Sequence, residues 1–320
     1  MSLRVEYAQK TLRDRVTLNG IGVHSGKPVS MALCPADADT GIVFVRTNVP
    51  GCADIEIPAV STSVSGTQLC TILGDPAVAF VATVEHLMSA LSAIGIDNLA
   101  IEIDGPEVPV MDGSAEAFVE AIDEVGLEVQ KAKRSYIRVT KPIRIEDGET
   151  YAEFRPHAGR RFEVTIEYDC SIIGRQSVDV DLTASAFRRD ICRARTFGYM
   201  RDVEQLWAAG YALGSCLDNS VVIGDDGVVN PEGLRHDDEF ARHKLLDAIG
   251  DLALAGAPIL GFYRSFKGGH RVNAMALAAL LNDETAFEIV TLDDERGERR
   301  KGQSEMLPGL AASAYAPERS

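Results

Sequence analysis

Two stretches of the chain follow the same order of elements, and this repetition restricts the fold more than any other feature of the sequence. In the first half, short alternating apolar segments precede a helical segment that opens at residues 83–86, then a strand, a Gly/Pro loop and a second helix. After residue 135 the alternating segments return, and a helix at 237–255, a strand at 259–266 and a helix at 270–281 follow. We interpret this repeated order as a structural duplication, which predicts an α+β fold of two similar domains.

The composition along the chain separates these domains. A basic segment with few apolar residues lies between the two sets of alternating strands, and a mixed run of charges follows the last strand. Such a charged run cannot bury enough apolar surface to fold, so we expect it to be disordered. The predicted segments are a first domain at 1–130 with a small exposed sub-sheet inserted at about 55–74, a linker at 131–135, a second domain at 136–292 with an insert at about 199–222, and a disordered tail at 293–320.

Three short segments carry local predictions. Thr83 is a residue type that caps helix N-termini, so we expect it to cap the first helix. The pattern at residues 191–197 favours a strand. Within the second insert, a short amphipathic helix is predicted at about 203–209.

The charge of the chain excludes one class of partner. With 32 basic and 48 acidic residues the formal net charge is −16, whereas nucleic-acid binding requires a basic face. No apolar run approaches the roughly 20 residues that span a membrane, and no apolar segment of a secretory signal follows Met1. We therefore expect a cytoplasmic protein without a membrane span. The six cysteines form no C-x-x-C pair, so we expect reduced thiols and no disulfide framework.

A histidine and an aspartate four residues apart lie in the helix predicted at 237–255. His243 and Asp247 point from the same helical face, one turn apart. An imidazole nitrogen and a carboxylate oxygen in that arrangement can bind one metal ion, although a simple His–Asp hydrogen bond would use the same spacing. Asp251 shares this face, whereas Lys244 is expected to lie beside the site, about 100° around the helix.

The duplication gives the first helices of the two halves equivalent positions, so Glu85 and His86 can face His243 and Asp247. Two histidines and one aspartate suit Zn²⁺, and three protein ligands leave a fourth position for water, as in catalytic sites. Zinc lowers the pKa of such a water from about 15.7 toward about 7. Glu85 could accept its proton, or it could simply be a charge in the first turn of a helix.

A further histidine and a threonine are candidates for charge stabilisation. His270 follows two glycines, which give the backbone freedom to place the imidazole. As an imidazolium it could stabilise an oxyanion or protonate a leaving amine, and Asp251 could hold it by a charge-assisted hydrogen bond. Thr196 offers a hydroxyl donor at a strand end, although an ordinary β-strand residue is an equally good interpretation.

Five motifs of this sequence together resemble one known family. The motifs are Thr83-Val84-Glu85-His86-Leu87, Gly95-Ile96-Asp97-Asn98, Met111-Asp112-Gly113-Ser114, Arg193-Ala194-Arg195-Thr196-Phe197-Gly198 and Arg242-His243-Lys244-Leu245-Leu246-Asp247-Ala248-Ile249-Gly250-Asp251. Over about residues 7–292 the chain resembles the UDP-3-O-acyl-N-acetylglucosamine deacetylases of lipid A biosynthesis. The resemblance implies a zinc amidase that removes acetate from the glucosamine nitrogen, the committed step of that pathway in Gram-negative bacteria. It also implies two similar α+β domains, each a β-sheet with two helices, with the helices sandwiched between the two sheets.

The resemblance assigns roles to individual residues. The implied zinc ligands are His86, His243 and Asp247, and the implied catalytic residues are Glu85 as general base, His270 as cationic acid or oxyanion stabiliser, Asp251 as its orienting partner and Thr196 as oxyanion donor. The implied substrate contacts are Lys244 and Lys267 at the phosphates, Leu69, Cys70 and Phe197, and an acyl passage lined by Met200, Val203, Ala212, Cys216, Ser220 and Val222. Fe²⁺ would fit the same ligands as Zn²⁺. The implied partner is the UDP-3-O-acyl-GlcNAc substrate, bound by a monomer that approaches the membrane transiently without spanning it.

The sequence departs from the family pattern at three places. Val164 stands where the family usually has an aromatic residue that stacks on uracil, and Phe162 is expected to substitute for it. The segment Asp169-Cys170-Ser171 replaces a common Asp-His-Pro, and Gly268 replaces a serine. Two alternative functions stay open: a zinc amidase acting on another acylated sugar, and a non-catalytic nucleotide-sugar binding protein.

Overall fold

The computed structural model describes residues 6–291, in which helices and β-sheets are mixed along the chain. The predicted α+β class is therefore confirmed. Each helix in this part of the chain is too short or too polar to cross a membrane. The helices are α1 (Glu85–Ile94), α2 (Glu116–Val125), α3 (Ala184–Asp190), α4 (Val203–Ala208), α5 (Glu239–Ala253) and α6 (His270–Leu281).

The strands before residue 134 form one large sheet, one small sheet and a two-stranded pair. They are β1 (Ala8–Leu12), β2 (Val16–Ile21), β3 (Pro28–Pro35), β4 (Ile42–Arg46), β5 (Ile55–Pro58), β6 (Val64–Gly66), β7 (Ile72–Asp75), β8 (Ala79–Val81), β9 (Leu99–Ile103) and β10 (Leu127–Lys133). The large sheet has the order β2-β3-β9-β4-β5, the small sheet the order β6-β7-β8, and β1 pairs with β10. Leu99, Ile101 and Ile103 alternate along the central strand β9 and are fully buried, so this face of the sheet lies on the core.

The strands after residue 134 form a second large sheet and one short parallel pair. They are β11 (Ser135–Val139), β12 (Ile143–Asp147), β13 (Thr150–Arg155), β14 (Arg160–Glu167), β15 (Arg175–Asp181), β16 (Phe197–Tyr199), β17 (Val221–Ile223), β18 (Ile259–Phe266) and β19 (Phe287–Thr291). The seven-stranded sheet follows β12-β13-β18-β11-β19, and β14 pairs with both β15 and β18. The short strands β16 and β17 pair in parallel at the base of the second insert.

The main helices form a layer between the two large sheets. α1 packs along α5, which contacts β14 and β15, while α6 contacts β12 and β13. Nine of the ten residues of α1 are buried, so this helix has no solvent-facing side. It ends at Gly95, whose φ of 89° is left-handed and favours glycine. One core cluster includes side chains of both sheets and of the helices between them.

The order of elements recurs as predicted. Strands lead to α1, β9 and α2 in the first half, and to α5, β18 and α6 in the second. The bounds of β18 and α6 agree with the predicted 259–266 and 270–281. The similar order supports the duplication, which stays an inference.

In the first half, one local prediction is wrong, and a second has the wrong bounds. Thr83 does not cap α1, because Val84 is the N-cap and the Thr83 hydroxyl donates to the Glu107 carboxylate at 3.1 Å. The sub-sheet expected at about 55–74 is displaced along the chain. Its first segment joins the large sheet as β5, where it pairs with β4, and the small sheet contains β6, β7 and β8.

The strand predicted at residues 191–197 is also wrong. Residues 191–196 form turns and irregular backbone after α3, and pairing begins only at Phe197. Ile191, Cys192 and Ala194 are buried, so their apolar character reflects a buried turn and not an extended strand. The helix predicted at about 203–209 is confirmed as α4.

The predicted domain boundary stays a prediction. The predicted linker at 131–135 lies between the two halves, although residues 131–133 are the end of β10, in which Lys133 pairs with Ala8 of β1. Arg134 in this segment is buried and forms ion pairs with Glu6 and Asp97. The tail predicted at 293–320 lies outside the described residues.

Candidate metal centre and catalytic site

The three predicted ligands come together between the halves. His86 from α1 and His243 and Asp247 from α5 offer ligand atoms that all lie within 4.8 Å of one another. The Nε2 atoms of His86 and His243 are 3.5 and 3.3 Å from Asp247 Oδ1. The three residues are between 2 and 5% exposed, so the cluster is closed off from bulk water on most sides.

A glycine allows the two helices to approach closely enough. A Cβ atom at Gly250 would lie 1.9 Å from the carbonyl oxygen of Glu85, far inside a normal contact. The backbone of α1 therefore rests directly on α5 at this position. This contact sets the position of Glu85 and His86 relative to the ligands on α5.

The surroundings of His243 leave one ring nitrogen free for the cluster. His243 Nδ1 lies 3.0 Å from the carbonyl oxygen of Ala194, which can only accept, so Nδ1 carries the proton. The lone pair on Nε2 then faces Asp247. Burial lowers the pKa of His243 to about 3, so the ring is neutral at physiological pH. A neutral, oriented imidazole is the form that binds a metal ion.

The carboxylate of Asp247 has two different oxygen atoms. Lys244 Nζ donates to Oδ2 at 2.7 Å, while Oδ1 is buried and has no hydrogen-bond partner within the described residues. Burial opposes ionisation of Asp247, but the Lys244 ammonium bound to its carboxylate holds the pKa of Asp247 well below the usual value. The expectation that Lys244 lies beside the site is wrong, because its flexible side chain places Nζ against Asp247, three residues further along the helix.

These donors fit a divalent metal ion. Two ligand atoms at about 2.0–2.2 Å from one tetrahedral ion stand about 3.3–3.6 Å apart, and the two separations from Asp247 Oδ1 are 3.3 and 3.5 Å. An orphaned carboxylate oxygen that faces two imidazole nitrogens is the donor set of a borderline cation such as Zn²⁺.

Glu85 lies next to this cluster in the first turn of α1. Its Oε2 accepts a hydrogen bond from the backbone N–H of Thr71 at 3.1 Å, and its Oε1 is 3.7 Å from His270 Nε2. The residue is 2% exposed, and burial raises the pKa of its carboxyl group. A raised pKa brings this carboxylate closer to the range of an effective base at neutral pH.

His270 and Asp251 form the predicted pair. His270 Nδ1 and Asp251 Oδ2 are 2.9 Å apart, and both residues are buried. Burial disfavours the charged imidazole, but the charges of Asp251 and Glu85 outweigh it and raise the pKa of His270 to about 9. His270 is therefore a cation at neutral pH, with Nε2 directed toward the Glu85 side.

Three residues that the sequence did not indicate support Asp251. The Thr71 hydroxyl donates to Oδ1 at 2.6 Å, and Asn273 Nδ2 donates to Oδ2 at 2.7 Å. The Tyr263 hydroxyl in turn donates to Asn273 Oδ1 at 2.6 Å. Asn273 could have been found, because it lies one turn after His270 on α6. Thr71 gave no such signal, since it is 180 residues from Asp251 in the sequence.

The other predicted site residues lie at different distances from the cluster of His86, His243 and Asp247. The backbone of Thr196 is fixed by hydrogen bonds to Gly113 and Val221, just before β16. Phe197 contacts the ring of His243 edge-on at 6.2 Å between centroids, and the Lys244 ammonium lies 5.6 Å from the Phe197 centroid. Lys267 follows β18 and pairs with Glu167 and Glu149 instead of lying in the cluster. The roles of Thr196 and Lys267 stay predictions.

The residues predicted to line an acyl passage lie between β16 and β17, except Val222, which lies in β17. Met200 is 49% exposed and Ser220 is buried, so these positions run from the surface inward. The insert is held by the first half of the chain: the Ala212 N–H points to His24 Nδ1 at 3.4 Å, and Tyr211 meets the His24 ring edge-on. Of the other residues assigned to substrate, Leu69 is 46% exposed and Cys70 is buried. The remaining predicted lining residues are Val203, Cys216 and Val222.

The substitution of Phe162 for a uracil-stacking aromatic stays a prediction. Phe162 and Val164 point to the same face of β14, and both are buried in the core. The Phe162 ring packs against Tyr263 with 6.1 Å between centroids.

Comparisons with known proteins agree with the resemblance seen in the sequence. The LpxC family model, described as UDP-3-O-acyl N-acetylglycosamine deacetylase, matches residues 9–282. The UDP-3-O-acyl-N-acetylglucosamine deacetylase of Brucella ovis is 55% identical over 287 residues, which cover 88% of this chain and 98% of that protein. The proteins of the same name from Brucella canis and Brucella melitensis biotype 2 are 55% and 54% identical over the same lengths. The chain therefore belongs to the LpxC family of UDP-3-O-acyl-N-acetylglucosamine deacetylases.

Proposed function

We propose that this chain is a zinc-dependent deacetylase that hydrolyses the N-acetyl group of UDP-3-O-acyl-N-acetylglucosamine. The products are acetate and the free amine, at the committed step of lipid A biosynthesis. The observation that carries the proposal is the buried cluster of His86, His243 and Asp247 beside Glu85 and His270. The family and the names of the relatives supply the substrate.

The chain's own residues prepare the metal site. His86, His243 and Asp247 would hold the ion, and Lys244 neutralises the second oxygen of Asp247 without using the first. When bound, Zn²⁺ would supply the Lewis acidity that polarises the amide carbonyl and makes a water molecule a stronger acid. Fe²⁺ would meet the same donors.

Glu85 is the proposed general base. Its Oε2 is fixed by the Thr71 N–H, which leaves Oε1 on the side of His270 to take a proton from the attacking water. The pKa raised by burial strengthens this role, because a carboxylate with an ordinary pKa binds a proton weakly at neutral pH. One such acid–base group contributes typically 10²–10⁴-fold to a rate.

His270 is the proposed cationic partner of the reaction. Asp251 binds Nδ1, so the proton on Nε2 is the one available to the developing oxyanion or to the leaving amine. Thr71 and Asn273 fix Asp251 in turn, and a fixed donor costs no reorganisation during the reaction. Thr196 is proposed as a second donor to the oxyanion.

The nucleotide and the acyl chain are proposed to bind on either side of the metal centre. Lys244 and Lys267 supply positive charge for the phosphates in a protein of net charge −16. Phe197, which covers His243, would contact the sugar, and the insert between β16 and β17 would receive the acyl chain.

Acetate release from UDP-3-O-acyl-N-acetylglucosamine tests the proposed function. We expect release that a metal chelator abolishes and that added Zn²⁺ restores. Glu85→Gln should lower kcat by roughly 10²–10⁴-fold. Glu116→Gln is a matched control, since Glu116 also lies in the first turn of a helix but pairs with Arg193. The proposed function would be refuted if the chelator left acetate release unchanged. The role of Glu85 would be refuted if Glu85→Gln and Glu116→Gln had equal rates.

A further inference from the structure

A cavity separate from the metal centre lies beside the C-terminal ends of α1 and α5, between the two large sheets. Its volume is about 320 Å³, at the lower end of the range of about 300–1,000 Å³ typical of small-molecule sites. Met88 and Leu91 of α1, Leu252 of α5 and Phe162 and Tyr263 of the second sheet line it. These five side chains come from both halves of the chain and form the closed inner wall of the cavity, because each is at most 6% exposed.

The same cavity contains a guanidinium group without a counter-ion. Arg160 donates to the backbone oxygen of Ser92 at 2.9 Å and to the Ser92 hydroxyl at 2.7 Å. Its Nε atom is buried and has no hydrogen-bond acceptor, and no carboxylate in residues 6–291 pairs with it. Burial lowers the pKa of Arg160 to about 10, as expected for a cation that its surroundings do not fully neutralise.

The acidic groups at the cavity are already engaged by other partners. Asp97 accepts from Arg134 at 2.7 Å and from the backbone N–H of Lys10 at 2.9 Å. Asp39 accepts from Gln9 at 2.7 Å. Neither carboxylate serves Arg160, and both would repel a second negative charge on a ligand. Arg160 is partly exposed while its Nε atom is buried, and an anion of single charge would give this guanidinium the counter-ion that no carboxylate in residues 6–291 supplies.

We propose that this cavity binds a small amphipathic monoanion, a carboxylate with a short hydrocarbon tail. The carboxylate accepts from Arg160, whose planar guanidinium matches its geometry, and the tail packs against Met88, Leu91 and Phe162. The Tyr263 ring lines the cavity while its hydroxyl donates to Asn273. A ligand in the cavity would therefore contact Tyr263, which is hydrogen-bonded through Asn273 to Asp251.

Calorimetric titration of the full chain with hexanoate tests the proposal. Hexanol carries the same tail without the charge, and adipate carries a second carboxylate. We expect saturable hexanoate binding at one site, with hexanol and adipate at least about tenfold weaker, which corresponds to 1.4 kcal/mol. Weak binding of hexanoate without saturation, or equal binding of hexanol, would overturn the proposal.

Two variants locate the binding. Arg160→Gln should weaken hexanoate at least about tenfold, whereas Arg138→Gln, which removes an exposed arginine paired with Glu288, should leave it unchanged. Ala253→Phe should block the cavity by volume, and it decides the question if Arg160→Gln does not fold. Hexanoate binding that the folded variants retain would place the ligand at the metal centre or the acyl passage and overturn the proposal.

Discussion

Gly250→Ala would insert a methyl group where α5 touches α1. The added Cβ would lie 1.9 Å from the carbonyl oxygen of Glu85, 2.7 Å from its carbonyl carbon and 3.0 Å from its Cα. All three are backbone atoms, so no side chain can rotate away. Because Cβ atoms essentially never lie within 3.0 Å of another heavy atom, the helices must separate locally by at least about 1.1 Å.

Two effects on stability oppose each other in this variant. Alanine is favoured over glycine in a helix interior by about 0.8–1.0 kcal/mol. Overpacking a well-packed core costs typically about 1–3 kcal/mol. The contact with rigid backbone places the cost at the upper end, so we expect a net loss of about 1–2 kcal/mol and a lower Tm.

The larger effect should be on the metal centre and on catalysis. Separation of the helices moves Glu85 and His86 away from His243 and Asp247. At present His86 Nε2 of α1 lies 3.5 Å from Asp247 Oδ1 of α5, close to the 3.3 Å between His243 Nε2 and the same oxygen within α5. A misplacement of about 1 Å can cost 10²-fold in rate. We therefore expect kcat/KM to fall about 10²-fold or more, together with weaker metal retention.

The measurements are kcat/KM, metal content after dialysis and the thermal melting curve. Gly227→Ala is the matched control, because its added Cβ meets no atom within 4 Å and its φ is not left-handed. The control should behave as the unmodified chain. If Gly250→Ala instead melted higher, kept its metal and retained its rate, the inference that this contact positions the ligands would be refuted.

Three further outcomes are expected. His243→Ala should yield protein without stoichiometric metal by elemental analysis, and retained metal would remove His243 from the ligand set. The pH profile of kcat/KM should decline as pH rises through about 9, where His270 loses its proton, and Asp251→Asn should move this decline to lower pH; an unmoved decline would assign the cation to another residue. Cys216→Trp should shift preference toward shorter acyl chains in competition assays with mixed substrates, because it narrows the passage; an unchanged preference would separate the insert from the acyl chain.

The features that could be predicted from the sequence are those set by local periodicity. His243 and Asp247 share a face because they are four residues apart in a helix, and α5 places them as this spacing requires. The repeated order of elements predicted that His86 faces these two residues, and the structure brings the three side chains together. Long helices and their order are visible in a single sequence because each turn repeats the same pattern.

The features that escaped prediction depend on contacts between distant segments or on side-chain flexibility. The hydrogen bond from the Thr71 hydroxyl to Asp251 joins residues 180 positions apart, and no local sequence pattern around either residue predicts it. Lys244 points away from the ligand face at its Cα, but its long side chain returns to Asp247. The cap expected at Thr83 was lost because Glu107, a partner from another loop, engages the hydroxyl.

The burial of α1 has a consequence for the synthesis of the chain. Nine of its ten residues are buried, and α5, the helix it packs along, lies far later in the sequence. At about 5–20 residues per second, the roughly 150 residues between them take about 8–30 s to synthesise. During that time α1 exposes apolar side chains, including Leu87 and Leu91, without the surface that covers them. A product that ends before α5 therefore leaves this apolar surface uncovered and is prone to aggregation or proteolysis.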